Sequence, residues 1–328
     1  MQVKVHPKKT LFFIFAAFLI LLYTVSVGSR DSSVGLDSIN YRYAFESTIS
    51  GGFELGFNII LNSLKYFSTS YHFLFIFIAI LTGILFFLAG KILFGARYIL
   101  LFTVILITFP FFYSVSSNVI RQGLALGIIL FTYSASSKLQ SKFNYRLFIV
   151  IILSAGIHFP TAAIMLPLAI NFRINKIFYV WLGLVSISLF GDYYAGFLAQ
   201  FVSGRFVAYL ANDSFIHYTT GFRWQFVLFS AMPIALLLLK KHNEMNLPYR
   251  RIFDTYLVIN GASLLFNFLP YFDRFLLPSW MMMPFIYTYG MIEINTMRID
   301  HRGKILIRLA LFFIVTTASL FVYRLGIG

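Results

Sequence analysis

Arg121 stands at the head of an otherwise apolar run, Ile120-Arg121-Gln122-Gly123-Leu124-Ala125-Leu126-Gly127. A guanidinium is planar, keeps its charge at any cellular pH and grips phosphate or carboxylate through two parallel N–H bonds. At a helix start it is joined by unpaired backbone N–H groups and the positive end of the helix dipole, which also favour an anion. The spacing therefore predicts a seat for a phosphorylated ligand, with the amide of Gln122 in support. The plainer alternative is an arginine snorkelling to a membrane surface. Arg205, in Ser203-Gly204-Arg205-Phe206, and Arg223, in Gly221-Phe222-Arg223-Trp224-Gln225, are candidates of the same kind. Arg274 follows Asp273, which can neutralise it, so it takes a supporting place.

Proton transfer needs a carboxylate or an imidazole near that anion. Glu54 lies in Gly52-Phe53-Glu54-Leu55-Gly56, an apolar setting that either raises the pKa of a carboxyl or demands a cation beside it. Asp37, at the head of Ser38-Ile39-Asn40-Tyr41-Arg42-Tyr43, reads as a helix cap with a weaker claim to chemistry. His158 sits in Gly156-Ile157-His158-Phe159-Pro160, where it is a base, a donor to phosphate or a ring packed on backbone. His242-Asn243-Glu244 reads as solvated loop. The chain has no cysteine, no His-Glu-x-x-His and no Gly-rich phosphate loop, so neither a metal nor a nucleotide cofactor is expected.

The elements that must hold these residues are membrane helices. With 59% hydrophobic and only 11% charged residues, a chain of 328 residues cannot cover a water-soluble surface. Apolar runs near the roughly 20 residues of a helical span recur at 11–27, 73–89, 98–113 and 305–323. The first is read as a span rather than a cleaved leader. The run from 73 to 88 is apolar at nearly every position, against the alternation of a β-barrel. The expected fold is all-α and polytopic, one transmembrane domain over 1–328 with about ten or eleven helices. An interfacial segment would cover 28–71 and a central outer loop 192–221.

Basic residues gather in cytoplasmic loops, here the N-terminus, Lys91 with Arg97, Lys138 to Arg146, Arg173 with Lys176, Lys240 to Arg251, and Arg298 to Arg308. If the loops at Arg146 and at Arg173 lie on one side, the stretch between them must go in and come back. Gly156 and Pro160 break it midway, which predicts a short or re-entrant helix pair with His158 near its turn. A single span there would invert all that follows. In the preferred wiring the outer or embedded basic residues are Arg30, Arg42, Lys65, Arg121, Arg205, Arg223, Arg274 and Arg324, seven of eight being arginine. The inner set holds ten lysines and eight arginines, so the outer set departs from a simple anchoring mixture. The net charge of +15 is spread between apolar runs, which argues against nucleic acid as a partner.

Tyr41-Arg42-Tyr43, Gly52-Phe53-Glu54-Leu55-Gly56, Asn118-Val119-Ile120-Arg121-Gln122-Gly123-Leu124-Ala125, Gly156-Ile157-His158-Phe159 and Gly221-Phe222-Arg223 together resemble the EpsG-like group of bacterial polysaccharide polymerases, related in role to Wzy-type polymerases. The resemblance implies glycosyl transfer at the outer face of the bacterial cytoplasmic membrane, joining oligosaccharide units carried on polyprenyl diphosphate. Arg121 and Arg223, with Arg205, would then neutralise the departing diphosphate, while Glu54 or His158 accepts the hydroxyl proton. Membrane lipid, a flippase and a chain-length regulator are the implied partners. A flippase for lipid-linked oligosaccharide and a membrane acyltransferase are the competing classes.

Overall fold

The computed structural model describes residues 7–47, 52–137, 143–170, 176–199, 220–238, 242–296 and 300–327. Among these there is no β-strand, only helices and one isolated bridge. The chain forms two compact units, Met1–Asn171 and Phe172–Gly328. It is an all-α, multi-pass membrane protein. Arg205 and most of the expected central loop lie outside the described residues.

In the first unit α1 (Pro7–Gly28) packs along α4 (Tyr71–Thr108). Gly83 makes the approach possible, because a Cβ there would stand 2.3 Å from the Thr24 methyl. The 38 residues of α4 are two helices, since Gly95 adopts φ 68° and ψ 177°. The rings of Phe94 and Phe102 lie 5.4 Å apart, and a Cβ on Gly90 would meet the Phe102 ring at 2.3 Å. Residues 12 apart on a straight helix are separated by about 18 Å. The chain therefore doubles back at Gly95, a turn that carries Lys91 and Arg97, where a basic connection is expected.

α5 (Pro110–Ser117) and α6 (Ile120–Ser136) bend by 112° across Asn118 and Val119. Gly123 permits this tight corner, its would-be Cβ lying 2.0 Å from the Val115 carbonyl oxygen. α7 (Tyr145–Ser154) starts from Asn144, whose side chain accepts from Leu147 N at 3.1 Å and donates to Ser136 Oγ at 2.6 Å. The Asn144 N–H also reaches Ala169 O at 2.8 Å, and Phe143 pairs with Ile170. α7 and α8 (Phe159–Met165) with its 3-10 extension Leu166–Ala169 thus leave from and return to one place. Ten residues of helix rise about 15 Å, half of a bilayer core of about 30 Å. This is the expected re-entrant pair, with His158 at its turn.

Among the described residues, Thr10–Gly28, Tyr71–Thr108 taken across its break at Gly95, and His301–Leu325 are long and apolar enough to cross a membrane, and a fourth span arises if the bent pair counts as one. Other apolar stretches among the described residues form shorter helices, with Gly and Pro at several of the breaks. In the second unit Asn260 ties several of these pieces together. It accepts from Trp181 Nε1 at 2.9 Å and donates to Ser230 Oγ at 2.9 Å and Ser279 Oγ at 3.0 Å. Buried in apolar surroundings, each of these groups would cost more unpaired than its bond contributes, so the network fixes one arrangement.

Candidate active site

α2 (Ser38–Glu46) and α3 (Leu55–Lys65) occupy the expected interfacial segment and bury Tyr41, Phe45, Phe57 and Leu61 against Phe75 and Ile120. Asp37 holds the cap position of α2, but its side chain makes no capping bond. The Asp37 N–H instead donates to Asn118 Oδ1 at 2.9 Å, which ties the start of α2 to the corner that launches α6. Arg30 braces the same corner. Its guanidinium lies 4.1 Å over the Phe75 ring and donates to the Ser117 carbonyl, to Ser38 Oγ at 3.2 Å and to Val27 O at 3.3 Å. Burial pulls its pKa down to about 10 against the opposing influence of Tyr113 and Tyr41. Arg30 is thus a structural cation, not an anchor at the surface.

Glu54 takes the cap position of α3 in extended conformation, without a capping bond of its own carboxylate. That leaves the carboxylate to reach elsewhere. Oε2 is bound by Arg121 Nη1, and Oε1 accepts from the Phe159 N–H at 3.3 Å. Arg121 in turn lies 4.5 Å over the Phe53 ring, 5.8 Å from that of Tyr41 and 5.9 Å from that of Phe57, and donates from Nε to the Tyr41 hydroxyl at 3.4 Å. The pair is about one-fifth exposed, so it is neither a fully screened surface pair nor sealed from a ligand. The cation that the apolar setting of Glu54 demands is Arg121, 67 residues on.

The tip of the re-entrant pair completes the arrangement. The Phe57 N–H donates to Gly156 O at 3.0 Å, and a Cβ on Gly56 would stand 2.8 Å from that oxygen, so two glycines let the backbones touch. His158 caps α8, its Nδ1 accepting from Thr161 N at 3.3 Å and lying 2.7 Å from Thr161 Oγ1. With Nδ1 so used, the neutral ring carries its proton on Nε2 and acts as a donor. Gln122 is buried within the helix packing.

The second unit builds a related cluster. Arg223 stands at the cap position of the helix Trp224–Ala231 without a capping bond, lies 5.1 Å from the Phe226 ring and 5.8 Å from that of Phe272, and donates to Leu325 O at 3.2 Å. Burial lowers its pKa, opposed by Asp273. Desolvation of the half-buried Asp273 pushes its carboxyl up to about 6, with Arg274 and Arg223 pulling the other way. Arg274 stacks at 4.8 Å on Tyr271. His242 departs from expectation: rather than lying in solvated loop, its Nε2 meets the buried Asp254 Oδ1.

The chain matches the model of the EpsG family over residues 13–326. It belongs to the EpsG family. No curated protein matches it. Membership places this EpsG-family chain among membrane proteins of polysaccharide biosynthesis. Of the sequence candidates, Glu54, Arg121 and His158 come together in the first unit, Arg223 and Arg274 lie in the second, and Arg205 is outside the described residues. Two residues packed at this candidate site carry no local signal of it. Tyr41 and Arg30 matter through contacts with residues about 80 positions away.

Proposed function

We propose that the chain is a polysaccharide polymerase that joins oligosaccharide units carried on polyprenyl diphosphate, working on the non-cytoplasmic side of the membrane. The observation that carries the reading is the Arg121–Glu54 pair beside the His158 turn. A guanidinium held on aromatic rings at the start of an apolar helix is preorganised for a diphosphate, and the carboxylate now on it is a stand-in that the ligand can displace. In the reaction a hydroxyl of one lipid-linked unit attacks the anomeric carbon of the other. The bond from that carbon to the diphosphate oxygen breaks, and the diphosphate leaves with the electron pair. Arg121 turns from Glu54 to the leaving diphosphate, and the His158 Nε2–H donates to the same group. Glu54, released, takes the hydroxyl proton. The sugar–diphosphate bond supplies the driving force, so no nucleotide enters. Arg223, built on aromatic rings in the same manner, is proposed for the same class of ligand.

Incubation of purified protein in lipid vesicles with lipid-linked repeat units tests this. Products lengthened by whole repeats are expected. Movement of the units across the bilayer without any longer product would assign the chain to transport, and dependence on an acyl donor would assign it to acyl transfer.

A further inference from the structure

Tyr41 has no place in the reaction as described, yet its position is closely defined. It is 2% exposed, on α2, with its ring 5.4 Å from Phe53 and 5.8 Å from Phe57. Those two rings are also the ones beneath the Arg121 guanidinium. The hydroxyl of Tyr41 takes the Arg121 Nε–H, while Glu54 takes Nη1. A guanidinium can offer a phosphate either its Nε–Nη edge or its Nη1–Nη2 edge, and the two point in different directions. With Nε held by the tyrosine, only the Nη1–Nη2 edge remains to swing from carboxylate to ligand.

Resting on the polymerase reading, we infer that Tyr41 is a positioning residue: its hydroxyl selects the guanidinium edge that Arg121 presents to the diphosphate. The ring and the hydroxyl have separable tasks. The ring belongs to the buried cluster that also holds Phe57, Leu61 and Ile120, so its removal disturbs the fold. The hydroxyl holds Arg121 Nε and is removed alone by Tyr41→Phe. Arg30, whose charge the same phenol influences, is fastened to the Ser117 carbonyl, at the corner before α6. Tyr41 is held by the burial of its ring among Phe53 and Phe57 and does not follow a rotating guanidinium.

The experiment measures elongation of lipid-linked units and its inhibition by geranyl diphosphate and geranyl monophosphate. The proteins are wild type, Tyr41→Phe, Arg121→Lys and the double variant. Tyr41→Phe is expected to keep the wild-type melting temperature in detergent and to weaken inhibition by the diphosphate about tenfold, the size of one hydrogen bond to a charged group. Inhibition by the monophosphate should change less, because one phosphate gains less from a fixed edge. The double variant should match Arg121→Lys alone, since lysine has no edge to select. Additive losses in the double variant, or unchanged diphosphate inhibition in Tyr41→Phe, would overturn the inference. If Arg121→Lys itself left inhibition and elongation untouched, the diphosphate reading would fail instead.

Discussion

Replacing Gly56 by alanine perturbs the site without touching any group that does chemistry. A Cβ at that position would lie 2.8 Å from the Gly156 oxygen and 2.9 Å from its carbonyl carbon, whereas ordinary contact begins at 3.4 Å. Both atoms are backbone, so the tip of the re-entrant pair and the start of α3 must separate by about 0.6 Å, the gap between those distances. Overpacking of this kind costs about 1–3 kcal/mol. The Phe57 N–H to Gly156 O bond of 3.0 Å would lengthen, losing about 1 kcal/mol more. The same separation pulls the Phe159 N–H from Glu54, and a misplacement approaching 1 Å near reacting groups costs on the order of a hundredfold in rate. Gly56→Ala should therefore lower the melting temperature in detergent and reduce elongation about tenfold or more. Gly183→Ala is the control: a Cβ there meets nothing within 4 Å, so it should stabilise its helix by roughly 0.5–1 kcal/mol and leave elongation unchanged. Wild-type elongation in Gly56→Ala would refute the contact between these segments as the thing that sets the site.

Glu54→Gln removes the charge that competes for Arg121, so binding of a prenyl diphosphate should tighten several-fold while elongation falls about a hundredfold or more, as for loss of a general base; binding and single-turnover rates separate the two effects. His158→Asn keeps an acceptor for Thr161 N and should melt within about 0.5 kcal/mol of wild type, whereas His158→Ala loses about 1 kcal/mol of cap; both should lose elongation if the ring donates to the diphosphate. Asp273, with its carboxyl raised to about 6, favours the folded state fully when protonated, below the ordinary carboxylate value of about 4, and that contribution is lost as pH rises through 6. Melting temperature should fall across this window, and Asp273→Asn should flatten the slope.

Local chemistry made part of this legible. An acid among glycines and phenylalanines either stays protonated more readily or finds a cation, and Glu54 finds Arg121. Basic loops at Arg146 and Arg173, if on one side, ask for a stretch that goes out and returns, and the bond from Asn144 to Ala169 closes a hairpin over most of it. The basic pair Lys91 and Arg97 between two apolar runs asks for a connection there, and the break at Gly95 with the Gly90–Phe102 approach supplies it. The contact of Gly56 with Gly156 spans 100 positions and depends on two absent side chains, which leaves no periodic signal. His242 lies in a polar run that reads as solvent-facing, yet its partner Asp254 comes from a buried face of the next long helix. Arg30 belongs by residue type with the other outer arginines, and only its buried carbonyl partners separate it from them.

The central claim concerns what Arg121 holds when substrate is present. A structure of the protein in lipid nanodiscs with a bound polyprenyl-diphosphate oligosaccharide answers it directly. The diphosphate should lie within hydrogen-bonding distance of the Arg121 Nη atoms, with Glu54 turned away from the guanidinium and toward the sugar. A diphosphate seated elsewhere, with Arg121 still on Glu54, would contradict the account.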